Sequence, residues 1–251
     1  QVADDTGVRE SAGRIRESIA RVKSSKISGV QSEALREAVL QVLRGRPGGQ
    51  PPTLPDVARA LTQEYQRRSR KPDELTSTLN ELTQFKLFDP RMSPAEFFAK
   101  SWVIRLPQDS TAEVRRLVIN LTLDALDRWI NSLPDSQVVE GRRAIRHVCM
   151  LDEAHVILET KLPALSNLMR MSRSKGGVVM LVSQSPDDFE NADEGFLDNM
   201  GLTVAFNTQA KPGPTKAIFG QGTSLVDLTV GDALCRIRTE ARTRQITAWR
   251  P

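Results

Sequence analysis

The chain has 251 residues, of which 39% are hydrophobic, 26% are charged and 5% are aromatic, and its net charge is +4. This length and composition suit one sizeable core, or a core domain with a smaller domain attached, and they exclude collagen-like, low-complexity and wholly disordered chains. The sequence contains neither a membrane-spanning apolar run nor a secretory signal. Two cysteines without metal-binding spacing indicate a reducing, cytoplasmic location.

The acidic residues are concentrated in one part of the sequence. Residues 151–200 contain nine acidic and four basic residues, a net charge of −5, so the remaining residues carry +9. Carboxylates at a metal site, combined with basic surfaces that bind a polyanion, would give this pattern. Unevenly charged solvent-exposed faces would give it as well, so the charge alone does not decide between a functional and a structural origin.

The first third of the chain has the apolar spacing of helices separated by turns. One helix is expected to begin at Ser32, a second after Thr53, and a third contains Leu75 on its apolar face. The glycine- and proline-rich segment 44–52 separates the first two helices. Because no strand pattern precedes residue 100, residues 1–100 are predicted to form an all-helical subdomain.

After residue 100 the pattern changes to short apolar runs that alternate with amphipathic helices. Strands are predicted at 102–106, 148–151, 178–182, 202–207, 233–237 and 245–249. One helix is expected between the second and third of these strands, extending to about residue 174. Strands that are apolar on both faces and alternate with helices indicate a largely parallel sheet covered on two sides. Residues 101–251 are therefore predicted to form an α/β domain.

Polar residues end two neighbouring apolar runs. Asp152 and Glu153 follow the run 148–151, and four apolar residues followed by two acids form the Walker B arrangement, in which the first acid serves Mg²⁺ and the second activates water. Gln184 follows the run 178–182, where its amide could contact a γ-phosphate or the attacking water. Ligands of such sheets bind at the carboxyl ends of the strands, so the combination is more informative than either motif. A solvated acidic turn and an ordinary turn glutamine are the structural alternatives.

A basic segment precedes the run 178–182. Arg170 and Arg173 lie near the end of the predicted helix, just before Gly176 and Gly177. Basic residues and glycine are common at helix C-termini, because they complement the helix dipole and cap the last turn. The functional alternative is that Arg173, or Arg170 in its place, acts as an arginine finger at the nucleotide of a neighbouring subunit.

Four segments together resemble the RecA-like motor ATPases of the HerA/FtsK superfamily, which includes the conjugative transfer ATPases. The segments are LDEAH, RMSRSKGG, LVSQSP and GDALCRI, in the order of the family. The resemblance covers about 150 of the 251 residues. Within this superfamily the sequence is similar to the DptH-type ATPases of phosphorothioation-dependent DNA restriction, a bacterial phage defence.

The resemblance implies a fold, cofactors and partners. Residues 101–251 would be the C-terminal part of a RecA-like P-loop NTPase core, with residues 1–100 as a helical insertion. Asp152 would bind the Mg²⁺ that accompanies ATP, while Glu153, Gln184 and Arg173 would act in hydrolysis. The full-length protein would form a hexameric ring that moves duplex DNA as a translocase or helicase, together with other subunits of a restriction complex.

One part of the family pattern does not occur in this sequence. The 251 residues contain no G-x-x-x-x-G-K-[ST] loop, which cradles the β- and γ-phosphates in P-loop enzymes. In this family the loop precedes the helical insertion, so it is expected upstream of Gln1, and the chain does not begin with Met. The sequence therefore predicts a C-terminal piece of a longer protein that does not hydrolyse ATP alone.

Arginines are also frequent near the end of the chain. Arg236 and Arg238 share the parity of one predicted strand, and Arg242 and Arg244 share the parity of the next. A basic face of this kind could contact DNA phosphates or the nucleotide of a neighbouring subunit. An edge strand protected by charge is an equal alternative.

Two other functional classes stay open. The LDEAH segment also occurs in DEAH-box helicases, but the other motifs of those enzymes are missing from the sequence. A non-catalytic scaffold or a DNA-binding subunit of a defence or conjugation complex is the alternative to a motor. In that case the helical subdomain would be the partner surface.

Overall fold

The computed structural model describes residues 5–22, 27–45, 53–84, 92–106, 110–158, 162–190, 196–240 and 242–250. The chain divides into two compact units, Gln1–Thr122 and Leu123–Pro251. Among the described residues, no helix combines the length and the apolar character needed to cross a membrane. The segment 46–52, most of the predicted glycine- and proline-rich separator, lies outside the described residues.

Among its described residues, the first unit contains helices and no strand. They are α1 (Asp5–Val22), α2 (Gly29–Arg44), α3 (Leu54–Arg67), α4 (Glu74–Gln84) and α5 (Pro94–Phe98). Thr53 caps α3, as expected, but α2 is capped by Ser28 rather than Ser32. Gln31 completes a capping box with Ser28, and this reciprocal pair of hydrogen bonds starts the helix four residues earlier than predicted.

Asp73 joins three helices of this unit. Its carboxylate accepts hydrogen bonds from Gln31 Nε2 of α2 at 2.7 Å, from the Tyr65 hydroxyl of α3 at 2.9 Å and from the backbone N–H of Leu75 in α4 at 3.0 Å. Burial, with this hydrogen bond to Asp73, raises the pKa of Tyr65 to about 12. The same unit has a core of fully buried leucines, among them Leu35, Leu61 and Leu79.

The predicted strand at 102–106 is not a strand in the structure. Residues 101–106 have no regular secondary structure, and Val103 is 87% exposed. The Trp102 ring stacks on Phe97 at 4.9 Å, and its Nε1 donates to the Phe97 carbonyl at 2.6 Å. This segment therefore packs back on α5 instead of pairing with a strand.

The long helix α6 (Ala112–Ser132) follows, and the boundary between the two units falls within it. Val114 and Leu117 belong to the hydrophobic core of the first unit. In the second unit, Leu126 and Ile130 line a small cavity with Cys149. Burial raises the pKa of the Cys149 thiol to about 11, which agrees with a core role for this residue.

A short hairpin and a parallel pair of strands begin the second unit. The hairpin comprises β1 (Val138–Val139) and β2 (Arg142–Arg143), and the pair comprises β3 (His147–Leu151) and β4 (Gly177–Leu181). The hairpin was not predicted from the sequence. Its turn residues Glu140 and Gly141 have φ values of 51° and 74°, as two-residue hairpin turns require.

Two helices connect β3 to β4, where the sequence predicted one. They are α7 (His155–Leu158) and α8 (Pro163–Met171), and a 3-10 turn, Ser172–Lys175, follows α8. Pro163 lacks a backbone N–H and fits the first turn of a helix but not its interior. It therefore begins a new helix instead of continuing the first.

The rest of the second unit is an antiparallel sheet with a helix. The elements are β5 (Leu202–Ala205), α9 (Pro212–Phe219), β6 (Asp232–Ile237) and β7 (Arg244–Thr247). The strands pair in the order β5-β6-β7, and both pairs are antiparallel.

The mixture of helices and strands fits the predicted α/β class, but the described strands do not form one largely parallel sheet. The connection between β6 and β7 spans only residues 238–243. A parallel crossover needs a dozen or more residues, so this connection forces the two strands to be antiparallel.

Candidate functional site

The site lies at the carboxyl ends of β3 and β4. Asp152 and Glu153 follow Leu151 directly and are both exposed. Glu153 has a φ of 51°, in the left-handed region that non-glycine residues seldom adopt, and such a residue costs about 1–3 kcal/mol. The backbone N–H of Glu153 donates to Asp152 Oδ1 at 3.0 Å, and that of Ala154 donates to the Val182 carbonyl at 2.9 Å. These bonds stabilise a tight turn at Asp152 and Glu153.

The structure brings Glu153 and Gln184 into direct contact. The Gln184 amide Nε2 lies 3.0 Å from Glu153 Oε1 and 3.2 Å from Oε2, so one amide group donates to both carboxylate oxygens. His155 Nδ1 lies 3.3 Å from Glu153 Oε2. The two motifs are therefore neighbours in space, although they lie 31 residues apart in the chain.

The segment that carries Gln184 is ordered by its own hydrogen bonds. The Thr208 hydroxyl donates to the Gln184 carbonyl at 3.1 Å. Asp188 accepts a hydrogen bond from the Ser183 hydroxyl and another from the backbone N–H of Ser185 at 3.3 Å. The backbone N–H of Lys211 donates to Asp187 Oδ1 at 2.9 Å. Gln184 consequently projects from a fixed turn.

Arg173 lies at the opposite end of β4 from Gln184. It belongs to the 3-10 turn before the strand, and five strand residues at about 3.3 Å each separate the two ends by roughly 16 Å. Arg173 is exposed, as is Arg170 in the last turn of α8. Arg173 and Glu153 are therefore not brought together within one chain.

The four C-terminal arginines do not share one face. In the β6–β7 register Cys235 is opposite Arg244, so these two side chains lie on the same face of the sheet. Arg236 is the next residue after Cys235 and therefore lies on the opposite face. The Arg236 guanidinium donates to the Ala217 and Ile218 carbonyls at the end of α9, and Arg244 pairs with Glu240 at 2.8 Å. Arg238 and Arg242, just outside the strands, are exposed. The predicted single basic face is thus split.

The site has few candidate metal ligands. The described residues contain no group of three or more histidine, cysteine or acidic side chains that could hold a metal ion. Mg²⁺ bound with a nucleotide uses one or two carboxylates together with phosphate oxygens and water. Asp152 is exposed, and only its Oδ1 accepts the local backbone bond, so its chemistry fits this kind of binding.

Two residues at the site were not singled out in the sequence. His155 contacts Glu153, and Thr208 positions the backbone of Gln184. The spacing of Glu153 and His155, two residues apart after a strand, was visible in the sequence but did not specify a contact. Thr208 lies 24 residues after Gln184, and no local signal relates the two.

The solved structures include chains that are similar to this one. No protein-family model matches the sequence, and no curated protein is significantly similar to it. The structure is similar to that of VirB4 of Thermoanaerobacter pseudethanolicus, with a TM-score of 0.64 and 16% sequence identity. The match covers 98% of this chain and 70% of the VirB4 chain. At 16% identity, the similarity shows that this chain and VirB4 share a fold.

Proposed function

We propose that the chain is the C-terminal part of a ring-forming, ATP-driven DNA motor of the HerA/FtsK type. The observation that carries the proposal is the contact between Glu153 and Gln184 at the shared carboxyl edge of two parallel strands. The fold that the chain shares with VirB4 is compatible with this proposal. A role in phage defence of the DptH type, in the cytoplasm, is the corresponding proposal for the full-length protein.

Each residue at this edge has a proposed role in ATP hydrolysis. Glu153 accepts the proton of the attacking water, and Gln184 donates to the γ-phosphate. Asp152 holds Mg²⁺ at the phosphates. When bound, Mg²⁺ neutralises the charge on the phosphate oxygens.

The contact between Glu153 and Gln184 is also proposed to be a resting state. The Gln184 amide donates to both oxygens of Glu153, so it competes with water for this exposed carboxylate. A γ-phosphate that attracts the Gln184 amide would release Glu153 for catalysis. The glutamine would thereby couple the presence of ATP to the activity of the base.

The remaining parts of the motor come from outside this site. The phosphate-binding loop is proposed to precede Gln1, so residues 1–251 alone do not hydrolyse ATP. Arg173, exposed and at the other end of β4, suits an arginine finger that reaches the nucleotide of the next subunit in a hexameric ring. Arg238 and Arg242 are the proposed contacts to duplex DNA, since Arg236 and Arg244 are engaged within the chain.

Substitution of Glu153 tests the proposed function. In the polypeptide that includes the residues preceding Gln1, Glu153→Gln is expected to lower ATP turnover by about 10²- to 10⁴-fold, the usual contribution of a general base. ATP affinity is expected to change little, because Glu153 does not hold the phosphates. Phosphate release and equilibrium binding of a fluorescent ATP analogue measure the two effects.

Glu140→Gln is the matched control, since Glu140 is an exposed glutamate in the hairpin turn, away from the site. It is expected to leave turnover unchanged. Normal turnover of Glu153→Gln would refute the assignment of the base. Failure of the unsubstituted longer polypeptide to bind ATP would refute the motor and favour a scaffold.

A further inference from the structure

The turn that carries Arg173 is fixed by its own hydrogen bonds. Ser172, at its start, is only 3% exposed, and its hydroxyl donates to the Leu168 carbonyl of α8. At its end, the backbone N–H of Gly176 donates to the Arg173 carbonyl at 3.1 Å. Gly176 has a φ of 78°, the left-handed conformation in which glycine commonly ends a helical turn. The backbone is therefore held on both sides of Arg173.

A separate segment, residues 134–146, packs on this turn and contains the hairpin of β1 and β2. The backbone N–H of Ser136, a residue only 4% exposed, donates to the Ser174 carbonyl at 2.9 Å. The backbone N–H of Arg146 donates to the Gly176 carbonyl at 2.8 Å. The hairpin segment is thus bonded to the turn at the residue after Arg173, and again just before β4.

Arg143 joins the two segments through its side chain. Its guanidinium Nη1 donates to the Ser136 carbonyl at 2.6 Å and to the Ser174 carbonyl at 2.9 Å. Ser174 lies 31 residues after Arg143, so one nitrogen links distant parts of the chain. Lys175 of the same turn pairs with the Asp135 carboxylate at 2.9 Å, whereas both acceptors of Arg143 are uncharged carbonyls. The positive charge of Arg143 is therefore not neutralised by these contacts and stays beside the turn.

These contacts lie outside the parallel pair of strands. The ladder between β3 and β4 begins at His147 and Gly177. Arg143 precedes the first of these residues and Ser174 precedes the second. The side chain of Arg143 consequently holds the turn without taking part in the ladder that leads to the proposed base.

The side chain of Arg173 differs from its backbone in having no such contacts. In the part of the chain that the structure describes, its guanidinium makes no hydrogen bond or ion pair, and the residue is exposed. A fixed backbone with an exposed cationic side chain suits a group whose partner is another molecule, because less conformational freedom is then lost on binding.

We infer that Arg143 is a positioning residue for Arg173. By bonding to the hairpin segment and to the turn at once, its guanidinium keeps the backbone of Arg173 in one conformation, from which the side chain reaches the nucleotide of a neighbouring subunit. A guanidinium suits this link, since it carries several N–H donors in one rigid plane. The inference rests on the proposed function, in which Arg173 is an arginine finger, and it gives Arg143 a part in hydrolysis without a contact to the nucleotide.

Amide hydrogen exchange of residues 1–251, measured by NMR, tests the link itself. The amides of Ser136 and Gly176 donate within the joined segments, so Arg143→Ala is expected to speed their exchange by at least about tenfold. The amide of Val182 donates to the Leu151 carbonyl in the parallel pair and should exchange at its original rate. Unchanged exchange of Ser136 and Gly176 in Arg143→Ala would overturn the inference.

Arg142→Ala is the matched control for this experiment. Arg142 is the neighbouring exposed arginine of β2, and its guanidinium makes no hydrogen bond or ion pair within the described residues. Its substitution removes the same charge without breaking the link, so the exchange of both amides should stay unchanged. Arg143→Lys keeps the charge and N–H donors, and it should recover part of the protection that Arg143→Ala loses.

Turnover by the polypeptide that includes the residues preceding Gln1 tests the role in hydrolysis. Arg143→Ala is expected to lower kcat for ATP by about 10- to 10²-fold, the loss that a misplaced group causes. KM should change by less than about twofold, because Arg143 does not contact the nucleotide of its own subunit. The double variant Arg143→Ala/Arg173→Ala should be no slower than Arg173→Ala, since the two residues act as a unit. Additive losses in the double variant would contradict a positioning role.

Mixed subunits separate positioning from a general loss of stability. Arg143→Ala subunits retain Glu153, so mixing them with Glu153→Gln subunits should raise turnover above the average of the two components. Mixing them with Arg173→Ala subunits should give no gain, because no interface then has both an intact and a correctly placed Arg173. A gain in the second mixture, or none in the first, would overturn the inference.

The outcomes separate this inference from the proposed function. Low turnover in Arg173→Ala with normal turnover in Arg143→Ala would refute the positioning role and leave the motor in place. An unsubstituted longer polypeptide that does not hydrolyse ATP would refute the motor, and with it the role of Arg143 in hydrolysis, whatever the exchange rates are.

Discussion

At the scale of single residues, the site depends on the conformation of Glu153. Its φ of 51° is unusual for a residue with a side chain, and such conformations persist only where surrounding contacts enforce them. Here the backbone N–H of Glu153 is bound by Asp152, and its carboxylate is bound by Gln184. The proposed roles of Asp152 as a metal ligand and Glu153 as a base both depend on this turn.

The proposed role of Arg173 as an arginine finger gives a prediction at the same scale. An arginine finger contributes about 10³- to 10⁵-fold to turnover, so Arg173→Ala in the longer polypeptide should lower ATP turnover by at least about 10³-fold. Mixing Arg173→Ala subunits with Glu153→Gln subunits should restore part of the turnover. Some interfaces then combine an intact Glu153 with an intact Arg173 from the neighbour. Phosphate release by the mixture measures this complementation.

Arg170→Ala is the control for this experiment, because Arg170 is an equally exposed arginine three residues earlier in the chain. Its turnover is expected to stay normal. A mixture no more active than its two inactive components would show that Arg173 does not act across subunits. If Arg170→Ala lost turnover instead, the arginine finger would be assigned to Arg170.

At the scale of elements, the turn before β4 depends on Gly176. Its φ is 78°, and a Cβ built there would lie 2.5 Å from the Ala144 carbonyl oxygen and 3.0 Å from Ser136 Cβ. Gly176→Ala should therefore lower the free energy of unfolding by about 2 kcal/mol or more, from backbone strain and steric overlap. Urea unfolding of residues 1–251 measures the loss.

Gly213→Ala is the matched substitution, since a Cβ at Gly213 meets no atom within 4 Å. Gly213 lies in α9, where alanine is the better helix former, so its stability should be unchanged or slightly higher. Equal unfolding midpoints for the two variants would contradict the packing described for the turn.

The elements also show what the sequence could predict. Apolar runs ending in polar residues located β3, β4 and the acidic turn, because an apolar run and its end are local features of the sequence. The prediction of a strand at 102–106 was wrong. An apolar run alone does not provide a neighbouring strand to pair with, and Trp102 packs on Phe97 instead. The prediction of a single helix up to residue 174 was also wrong, because a second helix begins at Pro163. This proline is a local signal that was present in the sequence but was not used.

At the scale of the whole molecule, pairing between distant segments limited what could be predicted from the sequence. The contact of Glu153 with Gln184 followed from two strand ends and the rule that parallel strands end at one edge. The antiparallel order of β5, β6 and β7 depends on long-range register, which a single sequence does not reveal. The same holds for the separation of Arg236 from Arg244 on opposite faces.

The most direct test of the proposed function is to measure phosphate release from ATP by two proteins. One is residues 1–251 alone, and the other is the longer polypeptide that includes the residues preceding Gln1. No turnover is expected from the first protein, and Mg²⁺-dependent turnover is expected from the second. Turnover by residues 1–251 alone would contradict the proposed function, because the site would then bind and hydrolyse ATP without an added loop. An inactive longer polypeptide that binds no ATP would contradict the assignment of this carboxyl edge as a hydrolysis site.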